Sequence, residues 1–514
     1  MLDRRSLLAA LSAAATTPAW AVDPPKGLVF GPAKAFGLSQ LQGYAKKLAS
    51  QPYKAPYRPP AELLRRVNYD SVQKIHFRSE AALWHGAATY PVAFFHMANY
   101  SGEPVTIHAV RDGVAREILY SPDYFDYGTS GVDPRPLAKL GFPGFRVMDS
   151  QTAPTDWLAF QGASYFRSSG EDAQYGASAR GIAINTALQS VEEFPRFSQF
   201  WLEENGPVIT IYALLEGPSV TGAYKFDTVK HGGTVMNVHC DLYFRADITR
   251  LGVAPLTSMY WYGENQRDKA SDWRPEVHDN DGLAIANGRG ERVWRPLINP
   301  PQIQTNSFMD ENPKGFGLMQ RDRLFDDYQD DSAFYNKRPS IWIEPKGKWG
   351  KGAVQLVEIP TADEIHDNIV VYWRPDAPVA SGDSLSFDYR LTWQDDEPAF
   401  PKTLARVVAT RIGRGSGAAS NIGAGNRRRF VVDFQGGALS AMAPRFDITP
   451  VLDTSSGKID GAFVIKVVGT DRWRAEFDLL PDPAVDGKKP VDMRCFLRLG
   501  NKVLSETWIY QYFA

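Results

Sequence analysis

Residues 384–393 read SLSFDYRLTW. Leu385, Phe387, Tyr389, Leu391 and Trp393 alternate with Ser384, Ser386, Asp388, Arg390 and Thr392. A period of two sends successive side chains to opposite faces of an extended chain, so the stretch predicts a strand with one face buried and the other wet. Runs of the same kind recur upstream, bounded by Gly, Pro, Asn and Asp: YPVAFFHMANY at 90–100, VTIHAV at 105–110, GIAIN at 181–185, PVITIYALLEG at 207–217, TVMNVHCDLYF at 234–244 and NIVVYW at 368–373. Many short strands with turn residues between them predict an all-β sandwich or barrel. A short helix is expected near Ser39–Ser50, where apolar residues fall at helical spacing after a Ser cap.

Downstream, the polar segment QDDEPAFPKTLA at 394–405 reads as a linker. Beyond it come RRRFVVDFQG, AFVIKVVG, WRAEFDLLP, VDMRCFLRL and LSETWIYQYF. Some seven short strands in that length suit an immunoglobulin-like sandwich. No fixed-period repeat stands out, which disfavours a solenoid or propeller. RIGRGSGAASNIGAGNRRRF at 411–430 breaks the strand pattern; it holds no complete GxGxxG and follows no βα unit, so it reads as an inter-strand loop and not a phosphate cradle.

The bulk chemistry excludes some functions. At 514 residues the chain exceeds one ordinary core, and its 59 acidic and 57 basic residues nearly cancel, which argues against a nucleic-acid partner. With 13 Trp, 22 Tyr and 28 Phe the chain is rich in aromatics, which serve strand packing and also stack on sugar C–H faces. The start, MLDRRSLLAALSAAATTPAWAVDPP, pairs Arg4 and Arg5 with an apolar run from Leu7 to Ala15 and small residues at Ala19 and Ala21. This predicts a twin-arginine export signal over 1–21, cut after Ala21, and hence a periplasmic protein. The apolar run is too short to span a bilayer, and no later stretch could form a transmembrane segment. Only Cys240 and Cys495 are present, which excludes thiolate zinc by count; an oxidising compartment permits a bridge between them, but nothing requires a disulfide framework. The eight histidines form no HExxH, which argues against a catalytic metal and leaves a carboxylate-bound cation open; no cofactor is implied.

Two short motifs carry candidate chemistry. His278-Asp279-Asn280-Asp281-Gly282 supports three readings: a turn, a cation loop, or a catalytic carboxylate with His278 or Asp281 tuning Asp279. The calcium pattern fails, with Val277 and Gly288 where ligands should stand. His366-Asp367-Asn368 lies just before the apolar run Ile369–Trp373, where apolar neighbours would favour the neutral form of Asp367 and suit it to act as an acid. A plain strand-start aspartate is the alternative. Two His-Asp pairs around an aromatic middle fit glycoside cleavage, in which one acid protonates the leaving oxygen and the other activates water. Between them, Trp342 and Trp349 are interleaved with Lys337, Arg338, Glu344 and Lys348, a mixture suited to an oligosaccharide or to a tryptophan-anchored loop.

Longer stretches carry a resemblance: LWH at 83–85, LGFPGFRV at 140–147, FQGASYFR at 160–167, QYGASARGIAI at 174–184, TGAYKF at 221–226, NPKGFGLMQRDR, YNKRPSIWIEPKGKWGKGAVQLVEIPT, DNIVVYW and SETWIYQYF. In these the chain resembles the periplasmic glucan biosynthesis family, OpgG and OpgD (also called MdoG and MdoD), and the arginine pair points to the OpgD branch. The resemblance implies a large galactose-mutarotase-like β-sandwich over 22–394, a linker over 395–405 and an immunoglobulin-like sandwich over 406–514. It implies a role in making osmoregulated periplasmic glucans, with β-1,2-glucan as partner, cleaved with inversion or transferred to form modified or cyclic chains. Family matching makes Asp367 the acid and Asp279 the base, with Trp84, Tyr335, Arg338, Trp342 and Glu344 expected at the substrate. The loop matching 411–429 lacks the aromatics found in some relatives, which bears on hydrolysis versus transfer. A non-catalytic glucan-binding scaffold is the rival reading, and a homodimer is left open.

Overall fold

The computed structural model describes residues 27–414, 427–483 and 486–513. The export signal, its cut after Ala21 and most of the 411–429 loop lie outside them. Across Ser384–Gln394 the alternation holds: Phe387, Tyr389, Leu391 and Trp393 are buried, while Ser384, Ser386 and Asp388 are exposed. The strand lies antiparallel between Thr234–Phe244 and Ser340–Lys346. From there one sheet extends both ways. One direction runs through Val220–Lys230, Val208–Glu216 and Arg196–Asn205 to Thr106–Arg111. The other runs through Gly315–Met319 and Gly282–Ala286 to Arg292–Pro296.

A second, ten-stranded sheet packs against this one. Its order runs from Gln304–Glu311 through Lys351–Glu358, Ile369–Pro375, Leu251–Ser258, Ser178–Arg180, Tyr165–Ser168, Asp156–Gln161 and Gly144–Met148 to Val92–Phe94, with Ile182–Ile184 as a tenth strand also paired to Leu251–Ser258. Much of the aromatic content is spent between the sheets. Phe160 stacks on Phe166 with centroids 4.9 Å apart, and both meet Phe226 edge-on at 5.4 and 5.2 Å. Such edge-on and offset contacts suit ring quadrupoles, and they account for aromatics that the sequence left divided between core and sugar binding.

The chain after Ala405 builds a second sandwich. Arg406–Arg414, Arg428–Gln435, Trp473–Leu480 and Lys458–Lys466 form one sheet in that order. Facing it, Ile448–Thr454, Val491–Leu499 and Thr507–Tyr512 form another, whose last strand runs parallel to Arg292–Pro296 of the large sandwich. The core between them is continuous with the large sandwich: Trp473, Trp508 and Phe430 share one buried cluster with Trp294, Met319 and Trp342. The polar segment after Gln394 is therefore strapped down and not free, with Glu397 paired to Arg292 at 2.5 Å and Arg323 donating to the Asp395 carbonyl at 2.8 Å.

The helix runs from Leu38 to Ala49, and its cap is Gly37, not the expected serine: Ser39 sits inside the first turn. Cys240 and Cys495 are buried and free. Among the described residues, no helix is long and apolar enough to cross a membrane.

Candidate active site

The strand Leu251–Ser258 and the two-residue step after it organise the site. The Asp279 N–H donates to the Met259 carbonyl at 2.8 Å. Asn368 grips the next residue: its amide oxygen accepts from the Tyr260 N–H at 2.8 Å, and its amide nitrogen donates to the Tyr260 carbonyl at 2.9 Å. The Asn368 N–H donates to the Ser258 carbonyl at 3.1 Å. Asp279 and the residue after Asp367, far apart in sequence, are thus both bonded to three consecutive residues.

The turn reading of His278–Gly282 fails in a specific way. Asn280 and Asp281 do bond backbone groups, but distant ones. Asn280 reaches the Leu318 and Pro339 carbonyls and accepts from Ser258 Oγ at 2.7 Å, while Asp281 accepts from the Arg321 and Asp322 N–H groups. Asp279 turns its carboxylate to the guanidinium of Arg338. Arg338 lies over the Tyr335 ring at 4.2 Å and donates to the Ala333 carbonyl at 3.2 Å, which fixes its aim. Burial pushes the Asp279 carboxyl up; Arg338 opposes this and the nearby Asp367 charge reinforces it.

Asp367 is exposed, and so are His366 and Ile365 before it. The expected apolar enclosure of Asp367 is absent, because the buried strand begins only after Asn368 and the loop ahead of it faces outward. Asp279, with 4% exposure, is the enclosed carboxyl.

A groove of about 640 Å³ runs along the outer face of the ten-stranded sheet, lined by Phe95, Tyr100, Arg146, Tyr165, Arg167 and Tyr175 among others. Tyr165 lines it: burial pushes its hydroxyl up to about 12, Arg180 opposes this and the Asp367 charge adds to it. Aromatic faces beside fixed cations, such as Arg167 over Tyr175 at 4.7 Å, suit a ligand with both C–H faces and hydroxyls.

A scan of family models matches residues 36–512 to "Periplasmic glucan biosynthesis protein, MdoG". The chain belongs to this family. "Glucans biosynthesis protein D 2" of Ralstonia nicotianae is 46% identical over 534 residues, covering 100% of this chain and 98% of that one. "Glucans biosynthesis protein D" of Xanthomonas campestris pv. campestris is 46% identical over 489 residues, covering 94% and 91%. The protein of the same name from Stenotrophomonas maltophilia is 44% identical over 492 residues, covering 94% and 90%.

The family's expected residues fall into two groups. Asp279, Arg338 and Tyr335 are in contact, and the Asp367 charge is felt at Asp279. Trp342, Glu344 and Trp84 lie apart from them. Trp342 is 4% exposed and buried against the second sandwich, its indole lying over Gly315, so it has no face to offer a sugar. Glu344 follows two residues later on the same outer face and pairs with Lys346. Trp84 lies beside Val92–Phe94, the last strand of the ten-stranded sheet, six strand steps from Ile369–Pro375, or roughly 29 Å.

Sequence reasoning missed Glu364. Its carboxylate accepts from both terminal nitrogens of Arg274, at 2.9 and 3.0 Å, and from the Tyr335 hydroxyl. A two-point guanidinium–carboxylate contact fixes orientation as well as distance. Arg274 is also held by Asp330 at 2.7 Å and Asp272 at 2.9 Å. The available signal was Glu364 three residues before Asp367 and Arg274 five before Asp279, but neither spacing is distinctive in a chain with 59 acids.

Proposed function

We propose that this chain is a periplasmic hydrolase of osmoregulated glucans, exported by the twin-arginine route, that cleaves β-1,2-linked glucose chains with inversion. The reading is supported by two candidate carboxyl groups on segments that both bond the Ser258–Tyr260 backbone, and by an aromatic groove on the sheet that carries Leu251–Ser258, in a chain of the glucan biosynthesis family.

In this reading a glucan lies along the groove with its scissile bond over Asp367. Asp279, paired with Arg338, is the ionised partner. It draws a proton from water as the water oxygen bonds to the anomeric carbon. The bond from that carbon to the departing oxygen breaks, and the oxygen takes the proton of Asp367, directly or through a bridging hydroxyl. Covering Asp367 with sugar removes it from water, the desolvation that favours a neutral carboxyl. Acid/base assistance of this kind contributes about 10²–10⁴ in rate. Tyr335 and Arg338 contact the substrate or its attacking water.

The test is incubation of the purified protein with linear β-1,2-glucan and sizing of the products. Shortened chains support hydrolysis. Rings or new linkages replace it with transfer, and an unchanged polymer that nonetheless binds replaces it with the scaffold.

A further inference from the structure

Behind Asp279 the chain buries more charge than the cleavage chemistry uses. His278 is 1% exposed, with its Nε2 2.9 Å from the Glu276 carboxylate and 3.6 Å from that of Asp281. Its ring stacks on Tyr260 with centroids 5.4 Å apart and meets Tyr328 edge-on at 5.2 Å. Glu276 is itself buried, and among the described residues His278 is its only ion-pair or hydrogen-bond partner. A buried carboxylate is costly without a counter-charge, and the His278 ring is the group placed to supply one to Glu276.

The surrounding groups supply no substitute. Arg321 is committed to Glu506 at 2.6 Å and to the Val407 carbonyl at 2.7 Å. Arg411 is shared between Glu264 at 2.8 Å and Asp433 at 3.2 Å. Asp322 and Asp327, on the chain around Tyr328, are carboxyls whose pKa burial pushes up, that of Asp322 well above the usual range, so they offer no positive charge either. The space these groups enclose is about 30 Å³, and Val407–Thr410 of the second sandwich close it. That volume admits about one water.

We infer that Glu276 is a positioning residue: it holds His278 as an imidazolium behind Asp279 and so favours the ionised form of Asp279, while the strand Arg406–Arg414 closes the pair off from bulk water. The electrostatics run the same way. Burial works to discharge His278, but the Glu276 bond and the Asp281 and Asp279 charges outweigh it and raise its pKa. The positive ring in turn lowers that of Asp279 against burial. The inference rests on Asp279 as the base, and it assigns the second sandwich a part in the chemistry, as the seal over this charge pair.

The experiment combines ring-nitrogen NMR of the full chain labelled with ¹⁵N-histidine and pH–rate profiles on linear β-1,2-glucan, for the parent and Glu276→Gln. Expected are an imidazolium at His278 in the parent at pH 7, its loss in E276Q, and an acid limb of kcat/KM displaced upward by about one pH unit with KM unchanged. Glu276→Asp should recover part of the displacement. A neutral His278 in the parent, or an acid limb of E276Q that overlies the parent's, overturns the inference. The parent titration needs no variant to fold. If the parent leaves the glucan intact, the hydrolase reading fails, and the NMR arm still decides whether Glu276 holds His278 charged.

Discussion

Arg274 and Glu364 meet in a two-point ion pair, with nitrogen–oxygen distances of 2.9 and 3.0 Å, and through it the loop ending at Asp367 is tied to the segment that leads into Asp279. The same carboxylate receives the Tyr335 hydroxyl, and the Tyr335 ring lies beneath Arg338. One contact therefore bears on both candidate catalytic groups. Glu364→Gln keeps the shape and removes the charge. It should lower kcat/KM on linear β-1,2-glucan by about 10- to 100-fold and shift the thermal midpoint by only a few degrees, since the pair is partly exposed. Steady-state kinetics beside a melting curve check this; unchanged kinetics would contradict it.

Arg338 sets the ionisation and the aim of Asp279 together. Arg338→Lys keeps one positive charge but loses the planar fork and the stacking on Tyr335. It should lower kcat more than it raises KM, by about 10- to 100-fold. Arg338→Met should push the acid limb of the pH–rate profile upward, because the group that opposes the burial of Asp279 is gone.

Trp342 belongs to the packing between the two sandwiches. Trp342→Ala should cost about 3–5 kcal/mol, the range for large aromatic deletions. Gly315→Ala should cost about 1–3 kcal/mol, because its Cβ would come 2.3 Å from the Trp342 indole. Urea midpoints measure both. The gentler Trp342→Phe should leave KM for the glucan unchanged, whereas a raised KM would return Trp342 to the substrate.

Glu264 links the sandwiches by accepting from the Thr410 N–H and pairing with Arg411. Burial pushes its carboxyl up to about 8. A carboxyl raised in the folded state retains a proton that the unfolded chain gives up above about 4.3, so folding takes up a proton between that pH and about 8. Its contribution to stability is fully present below the unfolded pKa and is lost as pH rises through the folded value. Glu264→Gln should therefore fall less in urea midpoint between pH 5 and pH 8 than the parent does. A steeper fall in the variant would contradict this.

How far the sequence could be read depended on whether the needed signal was local. Alternation in Ser384–Gln394 is local, and so the strand, its buried face and the all-β class were legible. The helix cap was misplaced because a serine within the first turn looks like a cap when the extended Gly37 before it cannot be seen. Trp342 alternates like any strand residue, but the sequence does not say whether its outer face meets solvent or a second sandwich. The exposure of Asp367 was misjudged because the apolar run after it is a strand interior, and its shelter does not reach back past Asn368. Glu364 and Arg274 were invisible for a plainer reason: their pairing spans 90 residues, and no spacing rule connects them.

The central claim is that Asp279 and Asp367 act together on one glycosidic bond, and the most direct measurement is product sizing from linear β-1,2-glucan with the parent, Asp279→Asn and Asp367→Asn, each first shown to be folded by circular dichroism. The account predicts shortened chains from the parent and a loss of about 10²–10⁴ in rate from either variant. Turnover near the parent's by a folded variant would remove that residue from the mechanism, and a glucan left intact by the parent would contradict the account as a whole.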